Sequence, residues 1–316
     1  MAAAGNRTLS IPLRGAGGEP VDLWRTLNSH GVTELPPMSL DHEARSMEIT
    51  LPLPDSRPRT VRISAAGSRT ARVEVVGRLP GPRVLDAIRG SVRDVLGLDE
   101  DLSGFYAKAA GDPDLAWVIE GAGRMVRSPT VFEEVVKTLC TTNCSWALTT
   151  KMVSALVEQL GEPAPGAPVS GARGRAFPTP EALAAQPERF YRDVVRAGYR
   201  APHFRTLGRG AASGELELES LRDRNIRDDE AEQRLLALPG IGPYAAAHVM
   251  MMLGRHSRLI LDSWTRPKFA RLTGRRKPPS DAAIVRRFRS YGEHAGLAFW
   301  LFLTRDWVPE PADVGV

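Results

Sequence analysis

The sequence is poor in cysteine: its 316 residues include only Cys140 and Cys144, four positions apart. On a helix these two thiols could face each other. They are too few for a disulfide framework, a four-cysteine iron–sulfur site or a structural zinc set. We therefore expect a protein of the reducing cytoplasm, without an iron–sulfur cluster.

Long apolar runs are also lacking, because no stretch of about 18 apolar residues occurs and so no transmembrane helix is predicted. The first residues, MAAAGNRTLSIPL, lack a basic segment followed by a continuous apolar one, and we expect no signal peptide. A hydrophobic content of 42% supports a packed core, and the length fits two or three domains.

The net charge is modest at +5, but the basic residues are unevenly distributed. Between Trp264 and Ser290 the chain has nine lysines and arginines and a single acid, Asp281. Such a local excess suits a polyanion such as nucleic acid. It is equally compatible with a solvated surface in an arginine-rich chain, so charge alone does not decide between these interpretations.

Two regions of different character follow one another. Three short β-branched runs, at 46–53, 60–64 and 71–76, are separated by Pro, Gly and Ser and predict antiparallel strands. A helix over 82–97 then carries apolar residues on one face. Strands followed by a covering helix predict a small antiparallel α+β domain over residues 1–98.

Residues 99–316 are predicted to form a mainly helical domain. Thr130 and Glu133 have the spacing of a capping box, and Thr179 precedes a proline at a first helical position. A Pro/Gly/Ala-rich stretch near 161–176 predicts a mobile loop. Helices are expected over 130–142 and 145–160, from 180 onwards, and over 190–198, 228–238, 243–253 and 281–303.

The segment Leu238-Pro239-Gly240-Ile241-Gly242 predicts a tight hairpin between two helices. Glycines there allow unusual backbone angles and let a phosphate approach the N–H groups at the start of the second helix. Such a hairpin binds a nucleic-acid backbone without reading its sequence. Taken alone, the pattern also fits an ordinary turn between helices.

An acid, Asp262, follows the aliphatic run Leu259-Ile260-Leu261 shortly after this hairpin. By itself Asp262 could simply cap the next helix. The pairing of hairpin and acid is far more specific than either part.

This pairing resembles the signature of the helix-hairpin-helix DNA glycosylases, in particular the branch with the 3-methyladenine and 8-oxoguanine enzymes. The resemblance is strongest over about 128–305, where LCTTNCSWA, FPTPEALAA, GYRA, LPGIGPYAA, LILDSW and FRSYGEHAGLA occur in family order. It implies an α+β fold: a small N-terminal sheet domain followed by a two-lobed helical domain with DNA crossing the cleft.

The resemblance implies roles for individual residues. Asp262 corresponds to the catalytic aspartate, which stabilises positive charge developing on the sugar. The hairpin residues Gly240, Ile241, Gly242 and Ala245 would contact the DNA phosphates. The carbonyls of Leu236, Leu238 and Ile241 could hold a Na⁺ or K⁺ ion, and no cofactor is required.

The base pocket is expected around Tyr244, which stands where lyase-active relatives have a lysine. A phenol cannot form their Schiff base, so no lyase activity is expected. An aromatic ring there suits stacking on a flipped, electron-poor base. His248, Met252 and Trp146 are further pocket candidates, although core packing is an equal alternative for His248 and Met252.

Other positions match residues that contact the distorted duplex. Asn143, Tyr199 and Arg200 correspond to residues that fill the gap left by the flipped base. Trp264 replaces a phosphate-contacting histidine and is expected near the DNA. Phe299, a further pocket candidate, replaces a glutamine that reads 8-oxoguanine, which favours alkylated purines as substrates.

The sequence therefore predicts a monomeric, monofunctional DNA glycosylase of base excision repair that acts on damaged duplex DNA. Two enzymatic alternatives are an oxidised-purine and a uracil glycosylase of the same fold. A noncatalytic damaged-DNA-binding protein, or an unrelated helical scaffold with a chance hairpin, would explain parts of the pattern.

Overall fold

The computed structural model describes residues 8–308, so residues 1–7 and 309–316 lie outside it. Much of the segment considered above for a signal peptide, and the end of the predicted helical domain, therefore fall outside the described residues. Within the described part, no helix is both long and apolar enough to cross a membrane.

The N-terminal part is built on an antiparallel sheet of five strands in the order β1-β5-β4-β3-β2. Along β5, buried and more exposed residues alternate, so one face of the strand packs on a core while the other meets solvent. The strands are β1 (Thr8–Pro12), β2 (Met38–Asp41), β3 (Ser46–Leu53), β4 (Ser56–Ala65) and β5 (Thr70–Val75).

Helix α2 (Pro82–Val95) covers this sheet, after a shorter helix α1 (Leu23–Leu27) earlier in the chain. Ile88, Val92 and Val95 of α2 are fully buried in the same core as β3 and β4. Burying each such side chain contributes roughly 1.5–3 kcal/mol relative to leaving it in water. The predicted α+β fold class is confirmed, although β1 and β2 were not predicted.

The rest of the described chain is helical, as expected. Thr130 caps its helix by accepting a hydrogen bond from the Glu133 N–H at 3.1 Å, as the capping-box spacing predicts. The helices are α3 (Ser103–Ala109), α4 (Val131–Thr141), α5 (Trp146–Leu160), α6 (Pro180–Ala184), α7 (Glu188–Asp193), α8 (Ala201–Ala212), α9 (Asp228–Leu236), α10 (Pro243–Met252), α11 (Thr265–Leu272), α12 (Asp281–Phe288) and α13 (Ala295–Thr304).

One predicted helix, over 281–303, is wrong as a single element. It is broken between α12 and α13 by a 3-10 segment in which Gly292 has φ 61° and ψ −121°. This left-handed backbone is open to glycine and costly for other residues, so the chain can kink there.

The predicted loop near 161–176 is tied to its surroundings. Pro163 forms an isolated β-bridge with Arg175. Arg173 donates two hydrogen bonds to the Glu48 carboxylate of β3, at 2.8 and 3.0 Å. The bridge closes the loop on itself, and the Arg173–Glu48 hydrogen bonds attach it to the N-terminal sheet.

The helices form two lobes around separate hydrophobic cores. The first lobe runs from α4 to α10 without interruption, whereas the second combines the α3 region with the segment from α11 to α13. Helix α10 contributes to both, since Val249 packs in the first core and Met251 in the second. This shared helix fixes the two lobes relative to one another.

The N-terminal part is not isolated from the helical lobes. Val32 and Leu35, which precede β2, pack in the core of the first lobe. Glu100, just beyond α2, lies 2.5 Å from both Arg127 Nη2 and His256 Nε2. A domain boundary at residue 98 stays a prediction, because core packing and ion pairs cross it.

Candidate active site

A cleft of about 1080 Å³ opens where the two lobes and the N-terminal part meet. Its lining combines polar groups with aromatic side chains, which is typical of ligand sites. It includes Asn143, Trp146, Tyr199, Gly240, Gly242, Tyr244, Ala245, His248, Asp262 and Trp264, all of them predicted site residues.

The hairpin at the cleft connects α9 and α10 by a tight turn. Leu238 and Ile241 are buried in the first core and anchor the turn, so any contact of Ile241 with DNA must use its backbone. Gly240 has φ 80°, and a Cβ there would lie 2.8 Å from Leu139 Cδ1 and 2.9 Å from His203 Cδ2. Only glycine fits this position without displacing its neighbours.

The start of α10 presents free donors toward the cleft. Gly242 is the N-cap residue, and a Cβ added to it would meet no atom within 4 Å. Among the described residues, the N–H groups of Gly242, Tyr244 and Ala245 have no backbone acceptor. Unpaired N–H groups at the positive end of a helix form an anion site, as the hairpin motif predicts.

The carbonyls proposed for a monovalent cation belong to the same hairpin. The Leu238 oxygen already accepts the Ile241 N–H at 3.2 Å, and a carbonyl oxygen has a second lone pair for an ion. A Na⁺ or K⁺ ion on these carbonyls stays a prediction. Within residues 8–308, no group of three or more His, Cys, Asp or Glu side chains could hold a metal ion.

Asp262 is half-buried in the cleft and held in one orientation. Its Oδ1 accepts hydrogen bonds from the N–H groups of Trp264 at 2.8 Å and Thr265 at 2.6 Å. In return, the Thr265 hydroxyl accepts the Asp262 N–H at 2.8 Å. Asp262 thus caps α11, and its Oδ2 accepts no hydrogen bond from the described residues. That second oxygen is available to a ligand in the cleft.

Tyr244 and His248 project from successive turns of α10 on one side of the cleft. Their rings lie 6.2 Å apart, and the Tyr244 hydroxyl lies 3.3 Å from Thr141 Oγ1. Burial raises the pKa of Tyr244 and outweighs the lowering effect of the Thr141 hydrogen bond, and the negative charge of Asp262 raises it further, so the phenol stays protonated. Burial lowers the pKa of His248, so its imidazole is neutral at pH 7.

Asn143 and Tyr199 line the cleft close to the hairpin, since Tyr199 lies 6.4 Å from His203, which packs against Gly240. Asn143 has the left-handed φ of 46°, which asparagine tolerates better than most residues, and its Nδ2 donates to the Tyr199 hydroxyl at 3.3 Å. Tyr199 is 56% exposed. Both side chains are therefore available to an extended ligand such as a duplex.

Arg200 is placed differently from the prediction. Its side chain is buried beneath Tyr199, with the guanidinium 4.5 Å from the ring centroid, and its Nε donates to Thr142 Oγ1 at 3.2 Å. It therefore supports the Tyr199 ring instead of reaching into the cleft.

Met252 and Phe299 do not line the cleft. Both are fully buried in the core of the second lobe, where Phe299 packs against Phe269 and Phe288. The helices that carry them are apolar on nearly every side, so core packing, one of the alternatives for Met252, describes both residues. They are corrections to the predicted pocket.

Several residues of the cleft were missed in the sequence. Trp300 and Trp307 pack beside Trp264 with tilted rings, whose centroids lie 5.8 and 5.7 Å from that of Trp264. His30, Gly31 and Val32 come from the N-terminal part. No local pattern marks these residues, because only the folded chain brings their segments together.

The basic segment from 264 to 290 is partly neutralised. Arg266 pairs with Asp281 at 2.7 and 2.8 Å, and Lys268 pairs with Asp306 at 2.9 and 2.6 Å. The sequence excess of basic residues therefore overstates the charge that this surface offers to a polyanion.

No protein-family model matches the chain. It is 29% identical over 157 residues to a DNA-3-methyladenine glycosylase of Bacillus subtilis, covering 49% of this chain and 50% of that protein. It is 30% identical over 218 residues to an N-glycosylase/DNA lyase of Arabidopsis thaliana, covering 64% and 57%. The chain thus spans little more than half the length of these two relatives.

A solved structure extends the likeness over nearly the whole chain. The 3-methyladenine DNA-glycosylase from Archaeoglobus fulgidus superposes with a TM-score of 0.72 at 23% identity, covering 95% of this chain and 100% of that one. The predicted resemblance to DNA glycosylases is confirmed, and the chain has their fold.

Proposed function

We propose that this protein is a DNA glycosylase that hydrolyses the bond between a flipped base and its sugar, leaving an abasic site. The observation that carries the proposal is the half-buried Asp262, fixed through Oδ1 within the cleft beside the hairpin. Cleavage of an N-glycosidic bond develops positive charge on the sugar. A preorganised carboxylate stabilises that charge and can orient the attacking water.

Duplex DNA is the proposed partner, bound by one copy of the chain. The free N–H groups at the start of α10 would hold one phosphate, while Asn143 and Tyr199 would support the distorted duplex beside it. Action as a monomer in base excision repair is part of this proposal.

The proposed reaction stops at base removal. Lyase chemistry through a Schiff base needs an amine nucleophile. Tyr244 takes the corresponding position, and no lysine belongs to the described lining of the cleft. Abasic DNA should therefore accumulate unbroken until alkali is added.

Alkylated purines are the proposed substrates. The cleft offers the rings of Tyr244, Trp146, Trp264 and Trp300, and aromatic faces attract the positive charge of an alkylated base. No glutamine lies in the described lining, which weakens the alternative of oxidised guanine. The relatives include both a 3-methyladenine glycosylase and a glycosylase/lyase, so the lesion class is tested directly.

The test is base release from duplexes that carry a 3-methyladenine, 7-methylguanine, 8-oxoguanine or uracil residue, measured with and without alkali. We expect release from the alkylated duplexes and strand breaks only after alkali. Asp262→Asn should reduce the rate by about 100-fold or more, which is the scale of removing one preorganised electrostatic contact.

Three outcomes would contradict this proposal. Strand breaks without alkali would overturn the monofunctional reaction, and release of 8-oxoguanine or uracil alone would overturn the substrate class. No release by the wild-type protein from any duplex, with salt-dependent DNA binding retained, would favour a noncatalytic damage-binding protein.

A further inference from the structure

His30 lies in the cleft although it belongs to the N-terminal part of the chain. It precedes the short 3-10 helix Gly31–Glu34 and is almost fully buried. Its ring lies 6.2 Å from that of His248, at an interplanar angle of 85°. Two imidazoles from distant segments therefore meet at the wall that also carries Tyr244.

The protonation of His30 follows from its contacts. Its Nε2 lies 2.7 Å from the Val126 carbonyl oxygen, which can only accept, so Nε2 carries the hydrogen. Burial, and next the neighbouring His248, lower the pKa of His30 to about 4, so the ring is neutral at pH 7. A neutral imidazole carries one N–H hydrogen, and Nδ1 is therefore an obligate acceptor.

This acceptor has no partner. Nδ1 of His30 is buried and has no hydrogen bond, and Nε2 of His248 is in the same condition. Neither charged group nearby donates to Nδ1: Glu134 accepts the Ser128 N–H with Oε2 at 3.0 Å and leaves Oε1 without a partner, and Lys137 donates to Glu133. An unpaired buried polar atom is costly, so it calls for a donor from outside the described chain.

We propose that His30 is a specificity-determining residue of the base pocket, whose Nδ1 accepts a hydrogen bond from the exocyclic amine of a flipped alkylated adenine. This inference rests on the proposed function and names the edge of the base that the pocket reads. Enzymes that flip bases commonly combine stacking with hydrogen bonds to the edge of the base. Here Tyr244 supplies the stacking surface, and His30 supplies the acceptor.

The same geometry implies rejection of bases that lack the amine. A site built to accept a hydrogen bond from its ligand leaves the acceptor unpaired when the donor is missing. The discrimination should therefore depend on Nδ1 itself, and not on the general shape of the pocket.

The experiment measures binding of free bases to the intact protein by quenching of tryptophan fluorescence, since Trp146, Trp264, Trp300 and Trp307 line the cleft. The probes are 3-methyladenine and 3-methylpurine, which differ only in the 6-amino group. We expect the wild-type protein to bind 3-methyladenine about tenfold more tightly, on the scale of one hydrogen bond.

Two substitutions separate the two nitrogens of His30. His30→Gln can still reach Val126 with an N–H but has no acceptor at the Nδ1 position, so the tenfold preference should vanish. His30→Asn keeps an acceptor near Nδ1 and loses the Val126 contact, so it should retain more of the preference. His42→Gln changes an exposed histidine of the same region and serves as the matched control.

Equal binding of both bases by the wild-type protein would overturn the inference, even if neither variant folds. A preference that survives in His30→Gln would also overturn it and would indicate that an ordered water satisfies Nδ1. Because binding of free bases does not require catalysis, a protein that binds selectively but releases no base would refute the proposed function alone.

Discussion

At the scale of single residues, Asp262 illustrates how one side chain serves both stability and chemistry. Its Oδ1 holds the first N–H groups of α11, while Oδ2 is left for the cleft. The sequence predicted either a helix cap or a catalytic acid. The structure shows that Oδ1 alone makes the capping contacts, so the same carboxylate can also act in the cleft. The two roles can be separated because asparagine caps helices about as well as aspartate.

We predict that Asp262→Asn and Asp262→Ala differ in stability but not in loss of activity. Asparagine keeps an oxygen for the Trp264 and Thr265 N–H groups, so its unfolding free energy should stay within a few tenths of a kcal/mol of wild type. Alanine should lose about 1 kcal/mol. Urea denaturation measures both. Equal stability of the two variants would show that the Oδ1 contacts do not stabilise the fold.

Protonation of His30 gives a second prediction at this scale. Its pKa is lowered from 6.5 to about 4 in the folded protein, so the unfolded chain binds this proton more readily. The contribution of His30 to the free energy of unfolding is fully present above pH 6.5. As the pH falls to 4, the free energy of unfolding decreases by about 3 kcal/mol because of this group. Glu100, whose folded pKa is about 2, contributes its own loss below pH 4.5.

The measurement is the free energy of unfolding of wild type and His30→Gln between pH 7 and pH 4.5. The wild-type value should fall more steeply over this window than that of the variant, whatever their difference at pH 7. Parallel curves would mean that burial of His30 does not control its protonation.

How far the site was predictable also becomes clear from individual residues. Asp262, Tyr244 and the hairpin glycines were found because they occupy one contiguous, recognisable segment. Phe299 was misplaced because a helix that is apolar all round does not reveal which side faces a cleft. His30 could not be found, since its role depends on contacts with Val126 and His248, far away in the chain.

At the scale of elements, the hairpin contains two glycines, and glycine is needed at each position for a different physical reason. Gly240 is required by its positive φ and by the nearness of Leu139 and His203. Gly242 has open space around it and a φ of −102°, which other residues adopt. Because Gly242 has no side chain, a phosphate can approach the N–H groups at the start of α10.

We predict opposite effects of alanine at these two positions. Gly240→Ala should lower the unfolding free energy by roughly 1–3 kcal/mol, the range for backbone strain. Gly242→Ala should fold as wild type but bind duplex DNA more weakly, because its methyl group obstructs the approaching phosphate. Thermal denaturation and DNA titrations over a range of salt concentrations separate the effects. Unchanged DNA affinity in Gly242→Ala would contradict the proposed phosphate contact.

The elements themselves were largely predictable. The strands at 46–53, 60–64 and 71–76 and most helices were expected, since alternation and capping residues are local signals. β1 and β2 are short and lie at the two edges of the sheet, where few residues carry the pattern. The break at Gly292 was missed because one glycine within a helical pattern does not force a kink.

At the scale of the whole molecule, Glu100 connects the sheet-bearing part to the helical lobes. Burial raises its pKa, but His256, Arg127 and Arg224 outweigh this effect and lower it to about 2. The carboxylate is therefore charged throughout the physiological range. Removing one partner of such a buried cluster leaves uncompensated charge.

We predict that Glu100→Gln lowers the unfolding free energy by about 3 kcal/mol, the scale for breaking a buried ion pair. Glu293→Gln is the matched control, since Glu293 lines the same polar pocket but its side chain is 83% exposed. Denaturant titrations of the three proteins provide the comparison. A loss of similar size in both variants would show that the buried contacts of Glu100 do not stabilise the fold more than those of an exposed carboxylate.

The second lobe is built from two separate parts of the sequence, and this affects the order in which the chain folds during synthesis. The Trp300 indole N–H donates to the Ser29 carbonyl at 2.8 Å across 271 positions of sequence. At typical synthesis rates, roughly 10–50 s pass between the emergence of these two residues. The first lobe can collapse during this interval, whereas the cleft must wait for α13. A nascent chain stalled before α13 should therefore carry a formed hairpin and an unfinished base pocket.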